Sequence, residues 1–429
     1  VKIAVVGLGK IGLPLAVQFA GQGHTVVGAD INPALVSLVN EGSEPFPGEA
    51  DLRNRLAQVV GSGLLSAVTD TSEAVRGADA VVVVVPLFVT DEDIPDFEAM
   101  DSATREIGRG LAAGTLVSYE TTLPVGTTRE RLTPILETVS GMRAGRDFHV
   151  AFSPERVLTG RVFADLKRYP KLVGGIDQAS EEAAQAFYSS VLEFEERNDL
   201  ARPNGVWRMG SAEAAELAKL AETTYRDVNI GLANQFSDFA MKHGIDFLNV
   251  IEACNSQPFS HLHRPGIAVG GHCIPVYPRL YLWNDSSATV VRAAREANTS
   301  APARAVARLE VELGSLVGVK VAVLGAAYRG GVKETAYSGV FPLVAELSRR
   351  GADPLVHDPL YTPEELEFLG LAPYTPGDEV DSVMLQADHA EYAEWGIAQT
   401  PGARVVIDGR ACLTRANWTG ATLIVLGAG

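Results

Sequence analysis

A short apolar run at residues 2–6 leads directly into Gly7-Leu8-Gly9-Lys10-Ile11-Gly12, and 18 residues later Asp30 ends a second apolar run at 25–29. This order requires a strand, a tight glycine turn, a helix and a second strand, so the chain opens as a βαβ unit. The glycines allow the tight turn, the approach of a pyrophosphate to the backbone, and close packing of the helix. The helix N-terminus offers unpaired N–H groups to phosphates. Asp30 is placed to accept both ribose hydroxyls of a dinucleotide and would repel a 2′-phosphate, so NAD is expected in preference to NADP.

Further β-branched runs at 80–85, 116–122 and 148–152 are separated by helix-length stretches, which predicts a mostly parallel sheet covered on both faces. From Ser211 to about His243 the pattern changes. Leu217, Leu220, Thr224, Val228, Leu232, Phe236 and Phe239 recur at steps of three and four, largely without breakers, between an N-cap at Ser211 and a terminating Gly244. The spacing predicts one helix of roughly 48 Å, longer than one small domain needs, bridging two domains and offering a dimerisation surface. A second α/β unit begins near Gly318. Residues 320–324 read as a strand, 335–350 as a helix, the next strand ends at Asp358, and strands at 404–407 and 421–426 close the chain. The expected architecture is α/β, two Rossmann-like doubly wound domains joined by a long central helix, with boundaries at 1–200, 201–300 and 301–429.

With 429 residues and 46% hydrophobic composition, the chain is too large for one core. No apolar run is long enough to span a membrane and the first twelve residues read as strand and turn, so a cytoplasmic location is expected. The net charge of −17 argues against nucleic acid or an anionic membrane as partner, and an anionic ligand must meet a local basic pocket. Three cysteines without a CxxC pair exclude a disulfide framework and a structural zinc site. His261 and His263 lack further ligands nearby and are read as loop residues, so no metal is expected.

Gly270-Gly271-His272-Cys273-Ile274-Pro275 places Cys273 after paired glycines, where a thiol can be exposed and a ligand can approach the backbone. By itself this segment also suits a small buried hydrophobe, the reading given to Cys254 and Cys412. Thr121-Thr122-Leu123-Pro124-Val125-Gly126, Ser153-Pro154-Glu155-Arg156-Val157, Lys219 on the long helix and Tyr328-Arg329-Gly330-Gly331-Val332-Lys333-Glu334 complete an ordered set over essentially the whole chain.

In that order the motifs resemble the UDP-glucose/GDP-mannose dehydrogenase family. The resemblance implies two Rossmann-like domains joined by a dimerising helix, and a nucleotide-sugar substrate whose C6 alcohol is oxidised to a carboxylate with two NADH formed. It implies Cys273 as the nucleophile that carries a thioester, Lys219 as oxyanion stabiliser, Glu155 as water activator, and Thr122 as holder of the catalytic water. Cofactor contacts are expected from Gly7 to Gly12, including Leu8, Lys10 and Ile11, and from Asp30, Pro86 and Lys333. Sugar contacts are expected from Glu155, Arg156, Val157, Lys219, Thr223, Arg264, Gly270, Gly271 and Tyr328. The Ser-Pro-Glu-Arg-Val-Leu and Gly-Gly-His-Cys-Ile-Pro variants are more similar to the branch acting on UDP-N-acetylmannosamine and UDP-N-acetylglucosamine than to the UDP-glucose branch. A homodimer is implied.

The chain departs from the family pattern at several positions. Thr223 stands where an asparagine is usual, Tyr277 where an aspartate is usual, Phe259 near the place of an arginine from the partner subunit, and Thr159 at a second acid of UDP-glucose enzymes. Arg264 can substitute for the missing arginine, and Lys333 keeps a positive charge at a family arginine. These changes bear on the hydrolytic half-reaction and on which sugar is used. A two-electron β-hydroxyacid dehydrogenase is opposed by Cys273 and the second nucleotide-type domain. A binding paralogue without turnover is opposed by Cys273, Lys219 and Glu155.

Overall fold

The computed structural model describes residues 1–46, 48–90 and 92–428. It divides into two compact units, residues 1–222 with 279–284, and residues 223–278 with 285–428. In the first unit the strands are β1 Lys2–Val6, β2 Thr25–Ala29, β3 Leu65–Val68, β4 Ala80–Val83, β5 Phe88–Val89, β6 Pro95–Asp96, β7 Leu116–Tyr119, β8 His149–Phe152, β9 Lys171–Gly175 and β10 Val206–Arg208. All but β5 and β6 form one sheet in the order β10-β9-β8-β7-β4-β1-β2-β3. Neighbours run parallel except β8 against β9. β4 and β7 are buried along their whole length, as expected for central strands covered on both faces. The strand order reverses beside β1, between β2 and β4, which opens a crevice at the C-terminal ends of the strands.

The second unit holds a five-stranded parallel sheet with β11 Lys320–Leu324, β12 Asp353–His357, β13 Ser382–Leu385, β14 Val405–Asp408 and β15 Thr422–Val425, in the order β12-β11-β13-β14-β15. The helix expected over 335–350 begins only at Val340. A Cβ on Gly339 would lie 2.2 Å from the Ala268 Cβ, and Ser338 Oγ accepts the Val340 N–H at 3.3 Å. Residues 335–339 are therefore a packed turn that caps the helix instead of forming its first turn.

The long helix is Ala212–Lys242, 31 residues, with Ser211 Oγ accepting the Ala214 N–H at 3.1 Å and Gly244 in a left-handed conformation after its end. Its apolar spacing does not map onto burial as a core stripe would. Leu220 is buried, but Leu217, Leu232, Phe236 and Phe239 are exposed, as is Tyr225. In the second unit this helix turns small and polar residues inward. A Cβ on Gly231 would stand 3.2 Å from the Ala294 backbone, so the helix Thr289–Thr299 crosses closely there, and Asn234 bonds Asn298 at 3.0 Å. Among the described residues no helix is long and apolar enough to cross a membrane.

The same crossing holds a buried ion pair. Arg295 Nη1 lies 3.0 Å from Asp227 Oδ1, and Asn298 donates to Asp227 at 2.8 Å. Arg295 Nη1 also donates to the Ile274 carbonyl at 3.2 Å, the acceptor that would serve residue 278 had it an N–H. Pro278 has none, so the helix Cys273–Asn284 is tied at that point to the long helix by a guanidinium. Removing the cation strands a buried carboxylate. Arg295→Leu is expected to cost about 3–5 kcal/mol in urea-induced unfolding, with the loss partly recovered in the double variant with Asp227→Leu.

Candidate active site

The glycine turn behaves as three different positions. Gly7 has φ +91° and a Cβ there would lie 2.9 Å from the Val84 carbonyl oxygen. On Gly12 a Cβ would lie 1.8 Å from the Gly7 oxygen. On Gly9 it would meet nothing within 4 Å. Gly7 and Gly12 thus satisfy the packing of β1, β4 and the helix Gly12–Gly21, whereas Gly9 borders open space where a phosphate can come close to the backbone. Lys10 is exposed, Ile11 is half-buried and Leu8 is buried. Asp30 Oδ2 accepts the Leu8 N–H and Oδ1 the Asn32 N–H, each at 2.9 Å. A carboxylate accepts about four hydrogen bonds, so acceptor sites remain for ribose hydroxyls. Pro86 is exposed, three residues past the end of β4 on the same side of the crevice. These residues fit a dinucleotide.

In the same unit the first turns of the long helix fasten two loops. Glu216, fully buried, accepts from the Gly126 N–H at 2.6 Å, the Thr128 N–H at 2.9 Å and the Thr128 hydroxyl at 2.7 Å, which fixes the loop that follows buried Thr122. Burial pushes Glu216 up to about 7 against those three donors. One turn on, Lys219 Nζ donates to the Glu155 carbonyl oxygen at 2.6 Å. Arg156 pairs with Glu222 and donates to the Pro170 carbonyl at 3.1 Å, while Val157 packs against the core. Thr122, Glu155, Arg156, Val157 and Lys219 are therefore carried by elements joined through one helix face.

The Glu155 carboxylate faces a buried network that sequence reasoning missed. Its Oε1 accepts the Arg156 N–H at 2.6 Å and the Val157 N–H at 3.0 Å, and its Oε2 lies 3.1 Å from Lys171 Nζ. Lys171 Nζ also contacts Glu120 Oε2 at 2.6 Å, and Glu120 Oε1 accepts from Tyr188 at 2.6 Å. Burial would raise Glu155, but Lys171, Glu120 and the Arg156 N–H outweigh it and hold the carboxyl below its usual range. Charges at the ends of largely uncharged strand runs, Glu120 after β7 and Lys171 opening β9, were the signal available in the sequence.

In the second unit Cys273 is exposed and is the first residue of its helix. A Cβ on Gly270 would lie 2.8 Å from the Tyr328 Cβ, and one on Gly271, at φ +85°, would lie 3.0 Å from the Tyr328 ring. The two glycines and Tyr328 thus come together, and the loop can deliver Cys273 only because no side chain separates it from that ring. The His272 ring stands 5.7 Å from Tyr277 and 5.9 Å from Tyr337. Cys254 and Cys412 are half-buried, and burial beside Asp408 and Asp388 pushes the Cys412 thiol up to about 12. Arg264 is exposed six residues before the glycine pair, and Thr223 is buried on the long helix one turn past Lys219. Phe259 is 95% exposed. Lys333 Nζ pairs with Glu365 at 2.6 and 2.7 Å, an exposed contact of small energy that a phosphate can displace.

The glycine geometry separates folding from binding. Gly12→Ala is expected to destabilise by about 3 kcal/mol or more. Gly9→Ala is expected to stay within about 0.5 kcal/mol of wild type in thermal unfolding, yet to weaken NAD binding at least about tenfold by calorimetric titration, because its methyl enters the pyrophosphate space.

Family models of the UDP-glucose/GDP-mannose dehydrogenases match in sequence order, the NAD binding domain over residues 1–192, the central domain over 213–300 and the UDP binding domain over 322–415. The UDP-N-acetyl-D-mannosamine dehydrogenase of Pyrococcus horikoshii is 34% identical over 420 residues, 95% of either chain. A solved structure of UDP-D-ManNAc dehydrogenase from that organism superposes with a TM-score of 0.88 at 31% identity, covering all of both chains. A UDP-glucose dehydrogenase from Pyrobaculum islandicum superposes with a TM-score of 0.86 at 27% identity, covering 100% of this chain and 98% of that one. With the dinucleotide crevice, the helix-fastened loops and the glycine-borne thiol in their expected segments, the chain belongs to the UDP-glucose/GDP-mannose dehydrogenase family and is an NAD-dependent nucleotide-sugar dehydrogenase.

Proposed function

We propose that the protein oxidises the C6 alcohol of a UDP-hexosamine, UDP-N-acetylmannosamine or UDP-N-acetylglucosamine, to the uronate through a thioester on Cys273. The observation that carries this reading is the exposed Cys273 at the start of its helix, delivered by two glycines packed on Tyr328. The hexosamine preference rests on the Ser-Pro-Glu-Arg-Val-Leu segment and on the activity named for the Pyrococcus relative.

When bound, NAD⁺ supplies the acceptor for the hydride lost in each of two oxidations, giving two NADH per sugar. Asp30 receives the ribose hydroxyls, Gly9 leaves room for the pyrophosphate, and Leu8, Lys10, Ile11 and Pro86 border it. Cys273 attacks the C6 aldehyde to form a thiohemiacetal, whose oxidation leaves a thioester. Lys219, whose ammonium is held at the Glu155 carbonyl, supplies the positive charge that stabilises the oxyanion. Thr122 holds the hydrolytic water and Glu155 takes its proton. Contacts to the sugar nucleotide are assigned to Gly270, Gly271, Tyr328, Thr223 and Arg264 of the second unit and to Arg156 and Val157 of the first, each unit by itself, and Lys333 exchanges Glu365 for a phosphate. Three domains, 1–200, 201–300 and 301–429, divide cofactor binding, dimerisation and UDP binding, and the working location is the cytoplasm.

A homodimer is proposed through the exposed face of the long helix, where Leu232, Phe236 and Phe239 lie at steps of four and three. Phe239→Glu combined with Phe236→Glu is expected to convert a dimer into a monomer in light scattering at micromolar concentration. An unchanged mass places the interface elsewhere.

NADH released per sugar tests the reaction itself, with UDP-N-acetylmannosamine, UDP-N-acetylglucosamine, UDP-glucose and GDP-mannose as the panel. Two NADH per uronate with a hexosamine, and loss of at least about a thousandfold in rate for Cys273→Ala, are expected. One NADH per sugar, or turnover that survives the substitution, would sink the thioester route.

A further inference from the structure

Three ionisable side chains meet in the core of the first unit, and their charges do not balance. Glu120, Lys171 and Glu155 have side chains 0%, 5% and 11% exposed, and two carboxyls share one ammonium, at 2.6 and 3.1 Å. Fully ionised, the group carries a net negative charge away from water, which one bound proton removes. Both carboxyls meet on the one Lys171 ammonium nitrogen, at 2.6 and 3.1 Å, so a proton taken up by either can be shared between them. Tyr188 donates to Glu120 and is itself 2.8 Å from Ser118 Oγ, and the Lys171 ammonium lies 4.9 Å from the Tyr188 ring centre. The Glu155 N–H reaches the Glu120 carbonyl at 3.2 Å, so the backbone holds the two residues in register as well.

We propose that Glu120 is the proton partner of Glu155: the two carboxyls, held together by Lys171 and Tyr188, share the proton that Glu155 removes from the hydrolytic water. This rests on the reading of Glu155 as water activator. In the step, the water oxygen bonds to the thioester carbon, its proton passes to Glu155, and the carbon–sulfur bond breaks to leave the Cys273 thiolate. The proton then passes from Glu155 to the ionised Glu120 carboxylate on the same ammonium, so that Glu120 becomes neutral while Glu155 returns to its anion. It later leaves through Glu155, the most exposed of the three. Burial pushes Glu120 up to about 7 with Lys171 opposing and Glu155 adding to the rise, whereas Glu155 is held down, so a proton taken from the water settles on the inner carboxyl. The charged groups around the pair are Lys171 from β9, Tyr188 from the helix Gln178–Val191, and Lys219 and Arg156 on the Glu155 side. Glu120 and Lys171 are positioning residues in this account, because they act through Glu155.

Rapid-mixing kinetics on the full-length enzyme with NAD⁺ and the sugar of the panel that turns over separate NADH formation on the thiol from hydrolysis. Glu120→Gln should keep the initial NADH burst within about twofold and slow the steady state at least about tenfold. It should also move the acid limb of kcat down by about one pH unit, since Lys171 then serves a single carboxylate. Lys171→Met should lose the same step and Lys171→Arg restore it; this pair decides the matter should Glu120→Gln fail to fold. An acid limb for Glu120→Gln that superimposes on wild type, a burst and steady state that fall together, or indistinguishable Lys171→Met and Lys171→Arg enzymes would overturn the proposal. Glu155→Gln tells the two readings apart: wild-type hydrolysis in that variant removes Glu155 as base, whereas slow hydrolysis beside an unaffected Glu120→Gln overturns only the shared proton.

Discussion

The 2.6 Å hydrogen bond from Lys219 to the Glu155 carbonyl is the contact on which the arrangement of the first unit depends. A long helix is a rigid rod, and residues three and four apart share a face of it. Glu216, Lys219 and Glu222 follow that spacing and fasten two loops, Glu216 the one after Thr122 and the other two adjacent residues of one loop, through the Glu155 carbonyl and the Arg156 guanidinium. Loops at the ends of β7 and β8 also meet directly, where the Glu155 N–H donates to the Glu120 carbonyl at 3.2 Å. The helix, holding both, adds a second constraint on their relative position.

The second unit solves a comparable problem with different chemistry. Its helix beginning at Cys273 contains Pro278, which leaves the Ile274 carbonyl without its helical donor. Arg295 supplies one at 3.2 Å and is anchored by Asp227. Ahead of the helix, Gly270 and Gly271 are required because Tyr328 occupies the volume their side chains would fill. Cys273 is thus exposed on a segment whose neighbours on both sides are constrained.

Much of this was legible in the sequence. The βαβ opening, the long helix with its Ser211 and Gly244 ends, and strands β1, β2, β4, β7, β8, β11, β12, β14 and β15 follow from periodicity and punctuation, because those signals are local, whereas β3, β9, β10 and β13 were not read from the sequence. The start of the helix at Val340 was not legible, since it depends on Gly339 meeting Ala268, 71 residues away in sequence. Nor was the burial of the long helix. Its apolar residues recur at core spacing, yet Phe236 and Phe239 face outward while Asp227, Asn234 and Ser237 face in. Motif reading singled out Glu155 and Lys219 but not Glu120, Lys171 or Tyr188, which have meaning only once β7, β9 and the helix Gln178–Val191 bring them to one place. Sequence pattern finds the groups set apart by unusual neighbours; it misses those whose partners are assembled by topology.

The account centres on a covalent acyl group carried by Cys273, and mass spectrometry of the intact protein, acid-quenched during steady-state turnover, tests that directly. The account predicts a population heavier by the acyl group of the oxidised sugar nucleotide, localised by proteolysis to the peptide containing Cys273. An enzyme that releases NADH at its full rate while its mass stays that of the free protein, even when hydrolysis is slowed by Glu155→Gln, would contradict it.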